Sequence, residues 1–252
     1  MMNYFKIFCL AVCVLILTAS CAPKRMPVER PPEVVWGDFR AKTPEYVQGR
    51  GFIIRSSISF VTAESRNRFQ ASIWGFSGHP VRMDLSAGFG RIFSMWLEDE
   101  LTWQAYFPDE RTRYLHSDGS MGAALLGFPI PFNLHETALV LMGYFDVLIP
   151  GQYHHVEFEN GKWKYHFEDE RISSVVLNQA GNLKYVFGEG WRVEFDGLEQ
   201  KNGLVYFSRL DMQLFDDNQA TILIRSIDLD QDWKPEQLEL DLPENIQSVF
   251  LY

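Results

Sequence analysis

The sequence predicts a mainly β (α+β) chain: a curved antiparallel sheet of about eleven strands forming an incomplete barrel, with two or three short helices in its concave face. Two observations carry this. Apolar residues recur at every second position from Gly51 to Phe107, and again from Val156 to Asp228. Between these halves lies one helical, proline-punctuated apolar stretch, Leu126–Gly143. No domain-scale linker or internal repeat interrupts residues 36–252, so they are expected to form a single domain around one core.

The N-terminus comes first in chain order. Lys6 precedes an apolar run, Ile7 to Leu17, of roughly 11 residues, which is short for a membrane span and suits a signal-peptide core. Leu17-Thr18-Ala19-Ser20-Cys21 then resembles a bacterial lipobox, with cleavage after residue 20 and lipidation of Cys21; Thr18 stands where that pattern more often has Leu. The plainer alternative is a secretory signal with an incidental cysteine. Cys9 and Cys13 fall inside the signal, which leaves an exported chain without disulfides. Removing residues 1–20, which hold Lys6 and no acid, takes the formal charge from −10 to −11. Such a balance argues against nucleic acid and against broad attraction to anionic headgroups. Residues 21–35, with Pro23, Pro27, Pro31 and Pro32 among mixed charges, read as an extended tether.

Folded structure is expected from about Trp36, where Gly37 and Pro44 weaken any helix. Alternating sets follow: Phe52/Ile54/Ile58/Phe60, Phe69/Ala71/Ile73, Val81/Met83/Leu85, Phe93/Met95/Leu97 and Leu101/Trp103/Ala105/Phe107. Ser117–Gly127 predicts a short helix capped by Ser117 or Asp118. Pro129 and Pro131 break any continuous helix there, and Asn133 with Glu136 forms a capping box that starts the next one. Leu134, Ala138, Leu141 and Met142 share its apolar side, and Gly143 ends it. Asn160-Gly161 and Asn202-Gly203 mark two-residue hairpins. Further strands are expected near 173–178, 183–187, 204–214 and 220–228, and a last one around 247–252.

Catalytic constellations are missing from the sequence. His154-His155 is the only cluster among six histidines, and neighbours on a strand point to opposite faces, which makes a poor metal pair. Gly75-Phe76-Ser77-Gly78 and Gly119-Ser120-Met121-Gly122 lack the nucleophile-elbow spacing. Acidic clusters fall at turns. No cofactor or metal site is expected beyond acyl and diacylglycerol groups on Cys21, and the chain does not read as an enzyme. Two apolar features stand out instead. Aromatics make up 15% of the chain. In Ser86-Ala87-Gly88-Phe89-Gly90-Arg91 a large ring sits between two glycines at a turn, where it either folds back on the rim or projects toward lipid or a partner.

Gly127-Phe128-Pro129-Ile130-Pro131-Phe132-Asn133, followed by a helix ending in Leu141-Met142-Gly143, resembles the central segment of the Lol outer-membrane lipoprotein receptor (LolB) family, of the LolA/LolB-like carrier fold. Arg82-Met83-Asp84-Leu85 and then Gly88-Phe89-Gly90 resemble that family's strand and protruding hydrophobic loop, with Phe89 where the family usually has Leu. The resemblance covers about residues 50–145. It implies an eleven-stranded half-barrel, anchored in the outer membrane and facing the periplasm. Such a protein accepts the acyl chains of lipoproteins from a soluble periplasmic carrier and inserts them into that membrane. It further implies a cavity lined by Phe69, Ile73, Val81, Met83, Leu85, Phe93, Met95, Leu97, Trp103 and Phe107. Pro129, Pro131, Leu134, Ala138, Leu141 and Met142 would form a lid helix, and Gly88, Phe89 and Gly90 a membrane-insertion loop. The expected state is a monomer. At ~0.8 kcal/mol per CH₂, a chain of ~15 methylenes costs ~12 kcal/mol to expose to water, so transfer needs cavities rather than catalysis. The alternative is an envelope assembly or interaction lipoprotein that uses the same fold as a packed scaffold.

Overall fold

The computed structural model describes residues 29–252 except Phe89, Pro129, Ile130, Asn202 and 215–217. The signal segment, Cys21 and the assignments made to Phe89 and Pro129 therefore lie outside the described residues. Residues 31–252 form one compact unit.

The first element is helix α1, Pro32–Lys42, which begins four residues before the expected start. Pro32 at its first turn lacks only an N–H that no helix would use, and its φ is already helical. Val35, Trp36 and Phe39 are buried, and Trp36 meets the rings of Tyr153 and Tyr165 at 5.5 and 4.9 Å.

Among the described residues the sheet has fourteen strands, where about eleven were expected. A first meander comprises β1 Gly51–Val61, β2 Arg66–Phe76, β3 Val81–Ala87, β4 Arg91–Glu98, β5 Trp103–Phe107 and β6 Thr112–His116. A second comprises β7 His155–Glu159, β8 Lys162–His166, β9 Ser174–Asn178, β10 Leu183–Gly188, β11 Trp191–Lys201, β12 Leu204–Gln213 and β13 Gln219–Leu229. The short β14, Gln247–Phe250, pairs in parallel with β6. The two meanders join where β1 pairs antiparallel with β13, from Phe52↔Leu229 to Val61↔Gln219. Strand order ends at β14 on one side and β7 on the other, so the sheet stays open. Strand twist makes a sheet of this breadth curl. Asn160 and Gly161 carry φ of 52° and 76° at the β7–β8 turn, as a type I′ hairpin requires.

Two helices occupy the inner face. In α2, Gly119–Leu125, the Asp118 side chain caps the Met121 amide. In α3, Leu134–Leu141, the reciprocal Asn133/Glu136 capping box is present. Both helices end in the same way. Gly127 (φ 82°) bonds to Ala124 O and Phe128 to Ala123 O; Gly143 (φ 86°) bonds to Val140 O and Tyr144 to Leu139 O. These are Schellman closures, which need a left-handed residue at that point. At Gly143 a side chain is also excluded, because a Cβ would lie 2.1 Å from Val205 O. Leu134, Thr137, Ala138, Leu139, Val140 and Leu141 are all buried, so α3 is covered on every apolar side.

Candidate functional site

Pairing register decides which side chains face inward. Val81↔Glu98, Met83↔Trp96 and Leu85↔Ser94 are opposed, and then the register shifts to Ser86↔Ile92. This β-bulge puts one extra residue on β4, and a one-residue slip exchanges faces for everything beyond it. Ser94, Trp96 and Glu98 are thus buried on the inner face. Met95 and Leu97, expected in the cavity wall, lie instead on the outer face opposite Asp84 and Arg82, where Arg82 Nη2 stands 3.3 Å from Met95 Sδ. The expected assignment assumed unbroken alternation through the strand.

Phe93, at the bulge, packs on Phe69 at 4.8 Å between ring centres and on Phe107 at 5.5 Å; Tyr114 follows at 5.7 Å from Phe107. From the other side Phe60 and Trp96 each meet Phe128 at 5.3 Å. The Schellman closure of α2 directs Phe128 here, which gives the Gly127-Phe128 pair a structural reason. Between these rings lies a hollow of about 490 Å³, within the usual range of ligand sites. Thr62, Ser65, Asn67 and Glu110 complete its lining. These positions are in the β1–β2 and β5–β6 turns or, for Asn67, at the start of β2, so the hollow is at the turn end of the first meander. Ala87 lines it too, immediately before Gly88 (φ 56°) and Gly90 (φ 87°).

Of the other expected lining residues, Ile73, Val81, Met83, Leu85 and Trp103 are at most 4% exposed and belong to the packed core. Trp103 lies against α2 so closely that a Cβ on Gly122 would come within 2.5 Å of its ring. In the expected lid, Leu134, Ala138, Leu141 and Met142 are at most 5% exposed, and all belong to that core. The connection reaches the hollow through Leu126, Gly127 and Phe128 rather than through α3. Sequence reasoning missed Tyr114 because β6 was not foreseen. Phe60 and Phe128 were visible in the strand pattern and the proline-rich motif without being assigned to a wall.

A second hollow, of about 500 Å³, is polar and includes Pro131, His79, Asp99, Asp118 and Arg171 in its wall. Its most buried acid is Glu98, at 5% exposure. Glu98 Oε2 accepts a bond from the Leu134 amide at 2.8 Å, and a Cβ on Gly119 would lie 2.5 Å from the same oxygen. One carboxyl on β4 therefore touches the starts of both inner helices. Burial pushes it up to about 7, against the lowering effect of the Leu134 and His135 amides. Nearby, Arg171 grips Glu136 with two bonds of 2.8 Å. Among the described residues no group of three His, Cys, Asp or Glu side chains is placed to hold a metal. His154 and His155 are exposed beside β7 and pair with Glu168 and Glu157.

No protein-family model matches the chain, and a search of curated proteins finds no match. Solved structures do match. A LolA superfamily protein from Nitrosomonas europaea aligns over 83% of this chain and 97% of its own, at TM-score 0.51 and 11% identity. The domain of an outer membrane lipoprotein-sorting protein from Vibrio parahaemolyticus, described as putative, aligns over 81% and 94%, at 0.52 and 10%. A DUF1329 family protein from Desulfovibrio piger aligns over 83% and 97%, at 0.54 and 10%. At these identities the likeness concerns the fold alone: the chain has a LolA/LolB-like fold.

Proposed function

We propose that this protein is a lipid-anchored, acyl-chain-binding lipoprotein of the carrier–receptor type. Cys21 carries the anchor, the domain faces the periplasm from the outer membrane, and acyl chains of lipoproteins received from a soluble carrier are delivered into that membrane. The observation that carries the reading is the ring-lined hollow of Phe60, Phe69, Phe93, Phe107, Tyr114 and Phe128, about 490 Å³ in volume, at the turn end of β1–β6. An acyl chain entering it exchanges water for aromatic carbon, and each methylene contributes ~0.8 kcal/mol. Such work needs graded apolar affinity and no catalytic group. Ala87, just before Gly88, borders the hollow, and the apolar residue that follows Gly88, Phe89, is given the membrane-inserting role.

The test uses the full chain with Cys21→Ser and a fluorescent fatty-acyl probe. Saturable uptake is expected, and its absence would sink the proposal. Phe89→Glu is expected to spare uptake and to slow delivery of a bound lipoprotein to vesicles; unchanged delivery removes the role given to the loop. A second reading, a scaffold for an envelope assembly, draws on the burial of every apolar residue of α3, which leaves most of the inner face filled by the chain itself. Stable co-purification with one envelope complex, without probe uptake, would favour it.

A further inference from the structure

The mouth of the hollow has a charge pattern unlike the rest of the chain. Arg66 and Arg68 open β2, Arg91 opens β4, and Arg111 and Arg113 close the β5–β6 turn and begin β6. Across 61–68, 87–93 and 108–114 these five arginines meet three acids, Glu64, Asp109 and Glu110, in a chain of net charge −10. Two of the three acids have partners: Asp109 binds Arg91 at 2.5 Å, and Glu110 accepts a bond from the Tyr114 hydroxyl at 3.0 Å.

Six arginines elsewhere are held by carboxylates, Arg40 by Asp146, Arg50 by Asp230, Arg55 by Asp228, Arg82 by Asp84, Arg171 by Glu136 and Arg209 by Asp211, whereas among the described residues Arg192 on β11 and Arg225 on β13 are not. Among the described residues Arg66, Arg68 and Arg111 have no such partner, and all three are exposed. Four strand spacings separate β2 from β6, so the rim is ~19 Å wide. Beside it, Leu125 and Met121 of α2 are 48% and 54% exposed, and Leu125 directly precedes the hollow-lining Leu126.

We infer that this rim is a docking surface for a bilayer with net-anionic phosphate headgroups, with Arg66, Arg68 and Arg111 taking the phosphates around the mouth. The inference rests on the acyl-chain reading and adds to it the class of membrane the mouth faces. Guanidinium groups with no carboxylate to satisfy them suit phosphate oxygens by geometry as well as charge. Apolar side chains at the same edge meet the acyl region beneath the headgroups. The acidic remainder of the chain is repelled by the same surface, which orients the molecule mouth-first.

The experiment measures partition of the full chain with Cys21→Ser onto vesicles of phosphatidylcholine alone and of phosphatidylcholine mixed with phosphatidylglycerol. Preference for the mixed vesicles, lost at high salt, is expected. Arg66→Gln/Arg68→Gln/Arg111→Gln is expected to lower partition onto them on the order of 100-fold, at roughly five-fold per arginine near an anionic surface. The control Lys201→Gln/Arg225→Gln/Lys234→Gln removes the same charge from exposed positions away from the mouth and is expected to bind like the parent. Equal losses in both variants, binding unmoved by the rim substitutions, or binding that ignores salt would each overturn the proposal. Acyl-probe uptake is followed in parallel and is expected to be the same in parent, rim variant and control. Loss of uptake in the parent removes the acyl-chain reading, whereas the vesicle comparison reports on the rim alone.

Discussion

Around α3 the inner face of the sheet is filled by the chain itself: Leu139, Leu141 and Met142 are each 1% exposed. At the turns of β1–β6 the same face is lined by two groups of packed rings, and about 490 Å³ stays open between the groups. Both regions are apolar, and both are built from the same helix–connection–helix unit. They differ in what completes them. A helix with apolar residues on every side brings its own filling and packs to the density of a protein interior. The α2 end brings one ring, Phe128, held by a glycine turn, and leaves the space beside it free. The first region is closed by packing, and the second keeps the space to which the acyl-chain proposal assigns its ligand.

Substitutions can break this contrast, and the largest expected effect is in the packed half. Leu139→Ala should cost ~2–5 kcal/mol in denaturant unfolding, the usual range for a leucine removed from a closed core. A loss below about 1 kcal/mol would mean that α3 is looser than its burial indicates. Next comes Glu98, which touches both helix starts. Its carboxyl is raised from 4.5 to about 7, so the folded chain holds a proton that the unfolded chain releases between those values. Stability is therefore expected to fall as pH rises from about 4.5 to 7, by ~3 kcal/mol in total. Glu98→Gln should flatten that slope relative to the parent, and an unchanged slope would assign the pH dependence elsewhere.

In the open half the effects are smaller. Phe93→Ala removes a half-buried ring that already borders empty space, so ~1–2 kcal/mol is expected together with altered probe affinity. A cost as large as that of Leu139→Ala would show that the two regions are not distinct. Least affected should be Asp109→Asn, which breaks the Arg91–Asp109 pair. Those side chains are 75% and 59% exposed, and melting should move by less than ~1 kcal/mol.

Local signals in the sequence were read correctly where they act locally. Asn133 and Glu136 cap α3, Asn160-Gly161 turns β7 into β8, and Gly143 closes the helix. What the chain does not announce is pairing. The bulge opposite Leu85/Ser86 is visible only once β3 and β4 are side by side, and it alone moves Met95 and Leu97 to the outer face. The same holds for the β1–β13 junction and for parallel β14, which join segments far apart in sequence. Nothing local in the sequence marks Glu98, because only the packing of α2 and α3 against β4 buries it. Phe69, Phe93 and Phe107, which the sequence puts on apolar strand faces, line the hollow, but its position at the turn end follows from where α2 stops.

The most direct measurement is saturable uptake of a fluorescent fatty-acyl probe by the full chain with Cys21→Ser, compared with the same chain carrying Ala87→Trp. Ala87 borders the hollow and is remote from the α3 core, so the added indole should fill the space with little change in melting. Uptake by the parent that is lost in Ala87→Trp is the expected result. No saturable uptake by the parent, or equal uptake by both, would contradict the claim that this hollow receives acyl chains.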